Sequence, residues 1–248
     1  FLWVHYMDTH HPYLSPERIQ KKFGRVYSKK HIKKLSQKTR SAQDEITADE
    51  IPEMEYVYDC SVRYVDEQIG RIIDHLRAEG ELGRSLIVVT GDHGEGFGEF
   101  GKFGHADELW DTLIAVPLIL YADRGPTVTV DGQAPLRLLK ETVVDGTGLF
   151  DLTDGGAEYV YTEVPNYRDA ICGVRGNEFK LIDEGDNKIA TEVSGNVEKQ
   201  VGIEEIPPTK RSQLEAELDR EFDTTEVATA VDRREFREDL AALGYLDE

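Results

Sequence analysis

The feature that most constrains this chain is an unbroken apolar run, Ser85-Leu86-Ile87-Val88-Val89-Thr90, which stops abruptly at Gly91-Asp92-His93-Gly94-Glu95-Gly96. Consecutive apolar side chains suit a strand covered on both faces. A long helical pattern precedes it: from Ile51 to Glu79 apolar residues recur at three- and four-residue spacing, through Met54, Val57, Val62, Val65, Ile69, Ile72, Ile73 and Leu76, and Gly80 ends the run. Val116 to Tyr121 reads as a further strand of the same sheet. Strand, helix and strand in this order predict an α/β fold.

The remaining segments attach to that frame. Phe1 to Met7 is aromatic and β-branched and breaks at Asp8-Thr9-His10-His11-Pro12, which predicts a buried strand running into a polar loop. Ser15 to Thr39 carries Lys21-Lys22, Lys29-Lys30 and Lys33-Lys34 and reads as short solvated helices. It is the one basic patch of the sequence. Two readings stand for it: attraction of an anionic substrate, or an exposed face that balances nearby acid.

Beyond about Asp123, Gly and Asp become frequent. Tyr159 to Thr162 and Ala170 to Ile182 predict short strands of a smaller sheet, and Asp183 to Pro208 an irregular polar excursion. Helical spacing returns from Thr209 to Phe222 and from Asp232 to Leu243. The expected organisation is a catalytic core over 1–150 and a closing subdomain of short antiparallel strands and terminal helices over 151–248.

Charge and cysteine usage exclude several classes of function. With 49 acidic and 29 basic residues among 248, the formal net charge is -20, and such a field repels phosphate backbones and anionic lipid headgroups. Neither a nucleic acid nor a membrane is therefore an expected partner. The acidity is spread along the chain, which favours a protein adapted to high salt over an ordinary acidic one. Cys60 and Cys172 are too few and too far apart for a disulfide framework or a thiolate metal site. No apolar run approaches the roughly 20 residues of a membrane helix. The first residue is Phe1 and no initiator methionine precedes it, so the expectation is a piece of a longer polypeptide.

Three clusters can do chemistry. Asp92 and His93 stand side by side where a buried strand ends, the place where open α/β sheets bind ligands. A carboxylate and an imidazole flanked by glycines suit a divalent cation, and a capping Asp beside an incidental His is the alternative. His10 and His11 follow the first segment and could bind an anion or donate a proton to a leaving group. The glycine-punctuated stretch Gly98 to His105 adds Lys102 and His105. His5, His31 and His75 read as structural or solvated.

These residues together resemble the carboxyl-terminal part of sulfatases, within the alkaline phosphatase superfamily. Phe1 to Tyr13 is similar to the family's strand and loop ending in His-x-Pro-Tyr. Tyr58 to Leu76 is similar to its Tyr-Asp-x-x-x-Arg-Tyr-Val-Asp helix, and Leu86 to Tyr121 to Val-Val-Thr-x-Asp-His-Gly-Glu followed by Gly-His and Val-Pro-Leu-Ile. The resemblance covers most of residues 1 to 121 and thins afterwards. It implies part of an alkaline-phosphatase-like sandwich with a mostly parallel sheet flanked by helices, plus a small carboxyl-terminal α+β subdomain.

It also implies roles. Asp92 and His93 match paired metal ligands, His10 the histidine that contacts the sulfate group, and His105 the lysine-or-histidine position at the ester. Lys102 adds a further positive group. The implied metal is calcium, or manganese or zinc given the imidazole at position 93. The implied substrate is a sulfated small molecule or glycan. The family's nucleophile is a formylglycine made within Cys/Ser-x-Pro-x-Arg, and no such stretch occurs in these residues. Formylglycine and the first pair of metal-binding aspartates are expected in an amino-terminal part outside them, and the 248 residues alone are expected to be inactive. Two rivals remain: a phosphodiesterase, phosphonate hydrolase or phosphotransferase of the same superfamily, and a noncatalytic remnant that kept the sheet.

Overall fold

The computed structural model describes residues 1–105, 108–123, 132–146, 148, 156–164, 171–195 and 197–222. The chain divides into two compact units, Phe1–Thr129 and Val130–Glu248. No helix of the described residues is long and apolar enough to cross a membrane.

In the first unit, α1 (Glu17–Phe23), α2 (Lys29–Ser41) and α3 (Ile51–Ala78) precede β1 (Leu86–Thr90). Ser28 starts α2 by accepting the His31 amide on its hydroxyl, which satisfies one of the amides that a helix start leaves unpaired. Pro52 lies in the first turn of α3, where no helical amide bond is lost. The amphipathic pattern of α3 is realised in its first half, where Met54, Val57, Cys60 and Ser61 are buried. Val57 meets Ile32 of α2 and Tyr13 in one cluster, with Leu14, Tyr27, Tyr56, Tyr58 and Phe97 packed around it. The core therefore anchors the segment that carries His10 and His11.

After β1 come the short β2 (Gly96–Phe97) and β3 (Phe103–Gly104), the single-turn α4 (Asp111–Ile114) and β4 (Leu118–Ala122). The mixed α/β fold agrees with the sequence reading. The ladder between β1 and β4, however, is antiparallel, with Leu86 opposite Ala122 and Thr90 opposite Leu118. Among the described residues, the segment between these strands holds the β2–β3 pair and short helical turns, and no long crossover of the kind a parallel pair needs. A mostly parallel arrangement is therefore not a property of this pair.

Two local expectations are corrected. Phe1 to Met7 forms no strand, and Phe1, Leu2, Trp3 and Val4 are exposed. A strand exists only through ladder bonds, and among the described residues nothing pairs with this segment. β1 is also less covered than its composition suggests: Leu86 is exposed and the rest of the strand is half-buried.

In the second unit, α5 (Leu139–Val144) precedes a five-stranded antiparallel meander of β5 (Val160–Val164), β6 (Ile171–Arg175), β7 (Phe179–Asp183), β8 (Lys188–Ser194) and β9 (Val197–Val201). The helix α6 (Pro208–Glu221) presents Leu214 and Leu218, one turn apart, to Val174, Leu181 and Ala190, which lie side by side on adjacent strands. β8 and β9 replace the irregular excursion expected over Asp183 to Pro208. Their alternation is masked in the sequence because polar residues, Thr191 on β8 and Glu198 on β9, fill buried positions that an apolar residue would otherwise mark, with Glu198 meeting Lys180 of β7. The helix expected over Asp232 to Leu243 lies outside the described residues.

Candidate active site

The site grows from a hairpin. Gly96 pairs with Gly104 and Phe97 with Phe103, so Glu95 and His105, one step beyond each strand, face each other, with Glu95 Oε1 3.3 Å from His105 Nδ1. Glu95 is buried. Gly94 is required just before it: a Cβ there would stand 1.9 Å from the Thr112 carbonyl oxygen, and its amide donates to Leu113 O at 2.7 Å. That contact seats the Asp92 turn against α4.

Imidazoles converge on His105. Its ring centroid lies 4.4 Å from His93, 4.9 Å from His10 and 5.3 Å from His11, and His10 and His11 stack at 4.2 Å. Hydrogen bonds settle how three of these rings are oriented. His10 Nδ1 is 2.8 Å from His11 O, and His93 Nδ1 is 2.7 Å from Gly94 O. A carbonyl oxygen only accepts, so each Nδ1 donates and Nε2 is the ring's acceptor nitrogen. The Glu95 carboxylate imposes the same orientation on His105.

Asp92 is half-exposed beside this cluster. Its Oδ1 accepts the His93 amide at 3.0 Å, and its Oδ2 is 3.6 Å from His5 Nε2. Asp92 Oδ1 and His93 Nε2 are 4.0 Å apart, a separation that one cation can span with a hard oxygen and a borderline nitrogen donor. The donor chemistry of the pair therefore fits a divalent ion, although the pair supplies only two ligands. Among the described residues, the group of three that could also hold a metal is His10, His11 and His105, whose donor atoms lie within 4.8 Å of one another.

Burial keeps part of the cluster uncharged. It lowers His10 from its ordinary value, with repulsion from His105 and His93 adding to it and the bond to His11 O opposing it. Burial and the neighbouring His10 and His105 bring His11 down to about 4. Both are neutral at pH 7. Tyr13, buried and facing Glu95, is held well above the usual phenol range by burial first and the carboxylate second.

The structure thus brings together His10, His105 and His93, with Asp92 adjoining His93. Lys102 lies on the same hairpin with its ammonium 2.6 Å from Glu108. Sequence reasoning assigned no role to Glu95 and read His5 as structural or solvated. The hairpin register, which pairs residues 95 and 105 across a glycine-rich turn, was the available signal for Glu95. His5 offered none beyond its place five residues before His10.

The sulfatase family description matches residues 1–140. A sulfatase from Formosa agariphila is 30% identical over 94 residues, a stretch covering 37% of this chain and 18% of that protein. A phosphonate monoester hydrolase from Silicibacter pomeroyi shares the fold with a TM-score of 0.58 at 21% identity, over 77% of this chain and 45% of that one. The protein BT4656, solved with its substrate D-glucosamine-2-N,6-O-disulfate, has a TM-score of 0.53 at 18% identity, over 84% of this chain and 44% of that one. The chain spans about half the length of these structures or less.

Proposed function

Because the chain belongs to the sulfatase family, we propose that its imidazole cluster forms the sulfate-binding and leaving-group side of an active site that hydrolyses sulfate monoesters. The observation that carries this reading is the convergence of His10, His93 and His105, each with Nδ1 engaged in a hydrogen bond. Asp92 and His93 are the ligands assigned to a divalent cation, which would supply Lewis acidity toward the sulfate oxygens. A bound sulfate favours a proton on His10 Nε2, which then donates to a sulfate oxygen while Nδ1 stays on His11 O. His105, with Nδ1 held by Glu95, turns Nε2 toward the bridging oxygen and, in its imidazolium form, gives it a proton as the S–O bond breaks. Lys102, tied to Glu108, is the second candidate for stabilising that oxygen.

The nucleophile is not among these side chains. No Cys/Ser-x-Pro-x-Arg stretch occurs in the sequence, and the relatives' chains are about twice as long. In this reading formylglycine comes from another part of the polypeptide, and the chain by itself does not turn over substrate.

A second reading, phosphonate or phosphate ester hydrolysis, is favoured by the Asp92-His93-Gly94 turn and by the likeness to a phosphonate monoester hydrolase. The polypeptide carrying this chain should cleave nitrophenyl sulfate faster than nitrophenyl phenylphosphonate. Its Asp92→Ala variant should lose bound divalent metal, measured by elemental analysis. Unchanged metal content would remove Asp92 from the site, and a preference for the phosphonate would replace the sulfatase reading with the second one.

A further inference from the structure

Three imidazoles of the first unit meet with the spacing of metal ligands. The donor atoms of His10, His11 and His105 lie within 4.8 Å of one another, and all three residues are half-buried. Imidazoles bound to one tetrahedral ion by bonds of about 2.0–2.1 Å place their ring centres about 5 Å apart. The separations here are 4.2 Å for His10 and His11, 4.9 Å for His10 and His105 and 5.3 Å for His11 and His105.

Two of the rings also have the outer partners that a metal ligand needs. His10 Nδ1 donates to His11 O at 2.8 Å, and His105 Nδ1 lies 3.3 Å from Glu95 Oε1. A carbonyl or carboxylate on the second ring nitrogen is the usual support of a metal-bound imidazole, because it fixes the ring and makes the free nitrogen a better donor. Glu95 is buried, so its negative charge stands one ring away from the point where an ion would sit. The donor set then selects the ion: nitrogens alone suit zinc, cobalt or copper, whereas calcium and magnesium prefer oxygen. Asp92 and His93 offer one hard oxygen and one nitrogen and so have a different preference.

We propose that His10, His11 and His105 form a second metal site, selective for zinc-class ions over calcium, whose occupation silences ester cleavage. The silencing rests on the sulfatase reading, in which His10 and His105 reach the sulfate and the bridging oxygen through Nε2. An ion on those nitrogens takes the atoms that the substrate needs. His11 has no part in that chemistry, so it is the residue at which metal binding and turnover separate.

Cobalt(II), whose visible d–d absorption reports a nitrogen-bound site of low coordination number, is the probe. Titrated into the full-length polypeptide in excess calcium, it should give bands that saturate at one equivalent and that zinc bleaches. The bands should persist in Asp92→Ala and vanish in His11→Ala. Glu95→Gln, which leaves all three rings in place, should weaken zinc binding about 10–100-fold by calorimetry. Saturating zinc should abolish hydrolysis of nitrophenyl sulfate by the parent, while His11→Ala keeps the parent's basal turnover and resists zinc. No bands in the parent, bands that survive in His11→Ala or are lost in Asp92→Ala, or unchanged zinc affinity in Glu95→Gln would overturn the site. Undiminished hydrolysis by the zinc-saturated parent would overturn the silencing. A cobalt and zinc site in a polypeptide that never cleaves nitrophenyl sulfate would sink the sulfatase reading and leave the metal site standing.

Discussion

The two units hold their buried ionisable groups in different ways. In the meander, Lys180 and Glu198 are almost wholly buried, yet they meet at 2.5 Å, and Thr191 donates to Glu198 Oε1 at 2.7 Å. In the first unit, imidazoles crowd within 4.2 to 5.3 Å of each other, two of them are held below their ordinary basicity, and His11 Nδ1 and Ser36 Oγ have no partner among the described residues. The meander satisfies this buried charged pair internally as part of its scaffold, while Thr162 Oγ1 on β5 has no partner among the described residues. The other unit holds a crowded imidazole cluster and buried polar atoms that no described residue satisfies, a cost in stability that functional sites commonly carry.

The largest expected effect lies in the scaffold. Glu198→Ala strands the Lys180 ammonium in the sheet and should destabilise the fold by about 3–5 kcal/mol, whereas the double change Lys180→Met with Glu198→Leu should recover most of that. Urea denaturation of both variants is the check. A single variant as stable as the parent would mean that this pair is not the internally satisfied half of the comparison.

A smaller effect is expected from acid. The folded chain holds His11 at about 4 against an ordinary 6.5, so between these values the unfolded chain takes up a proton that the folded chain refuses. Stability is fully present above pH 6.5, falls as the pH drops toward 4 and levels off below. His11→Asn should flatten that slope between urea midpoints measured at pH 7 and pH 4.5. An unaltered slope would show that His11 is not under the strain of burial described above.

Much of the fold was legible because its signals are local. The amphipathic repeat of α3 and the apolar run of β1 dictate their elements within a residue or so. The β8–β9 hairpin was not legible, because Thr191 and Glu198 look solvent-facing until the sheet brings them together and sets Glu198 against Lys180 of β7. Phe1 to Met7 failed for the opposite reason: β propensity is strong there, but a strand needs a ladder partner, and none is seen among the described residues. In the site, Asp92 and His93 announced themselves by adjacency and His10 by its loop. Glu95 and His5 did not, since their significance arises from the register of a two-residue hairpin and from a contact 87 positions away along the chain.

In the proposed reading the imidazole cluster serves chemistry and not folding. Its most direct test is His10→Ala in the polypeptide that carries this chain, with turnover of nitrophenyl sulfate and thermal unfolding measured on the same sample. Turnover should fall by about 10²–10⁴-fold in kcat while the unfolding temperature stays within a few degrees of the parent's. Undiminished turnover, or a collapse in unfolding temperature that accounts for the lost activity, would contradict it.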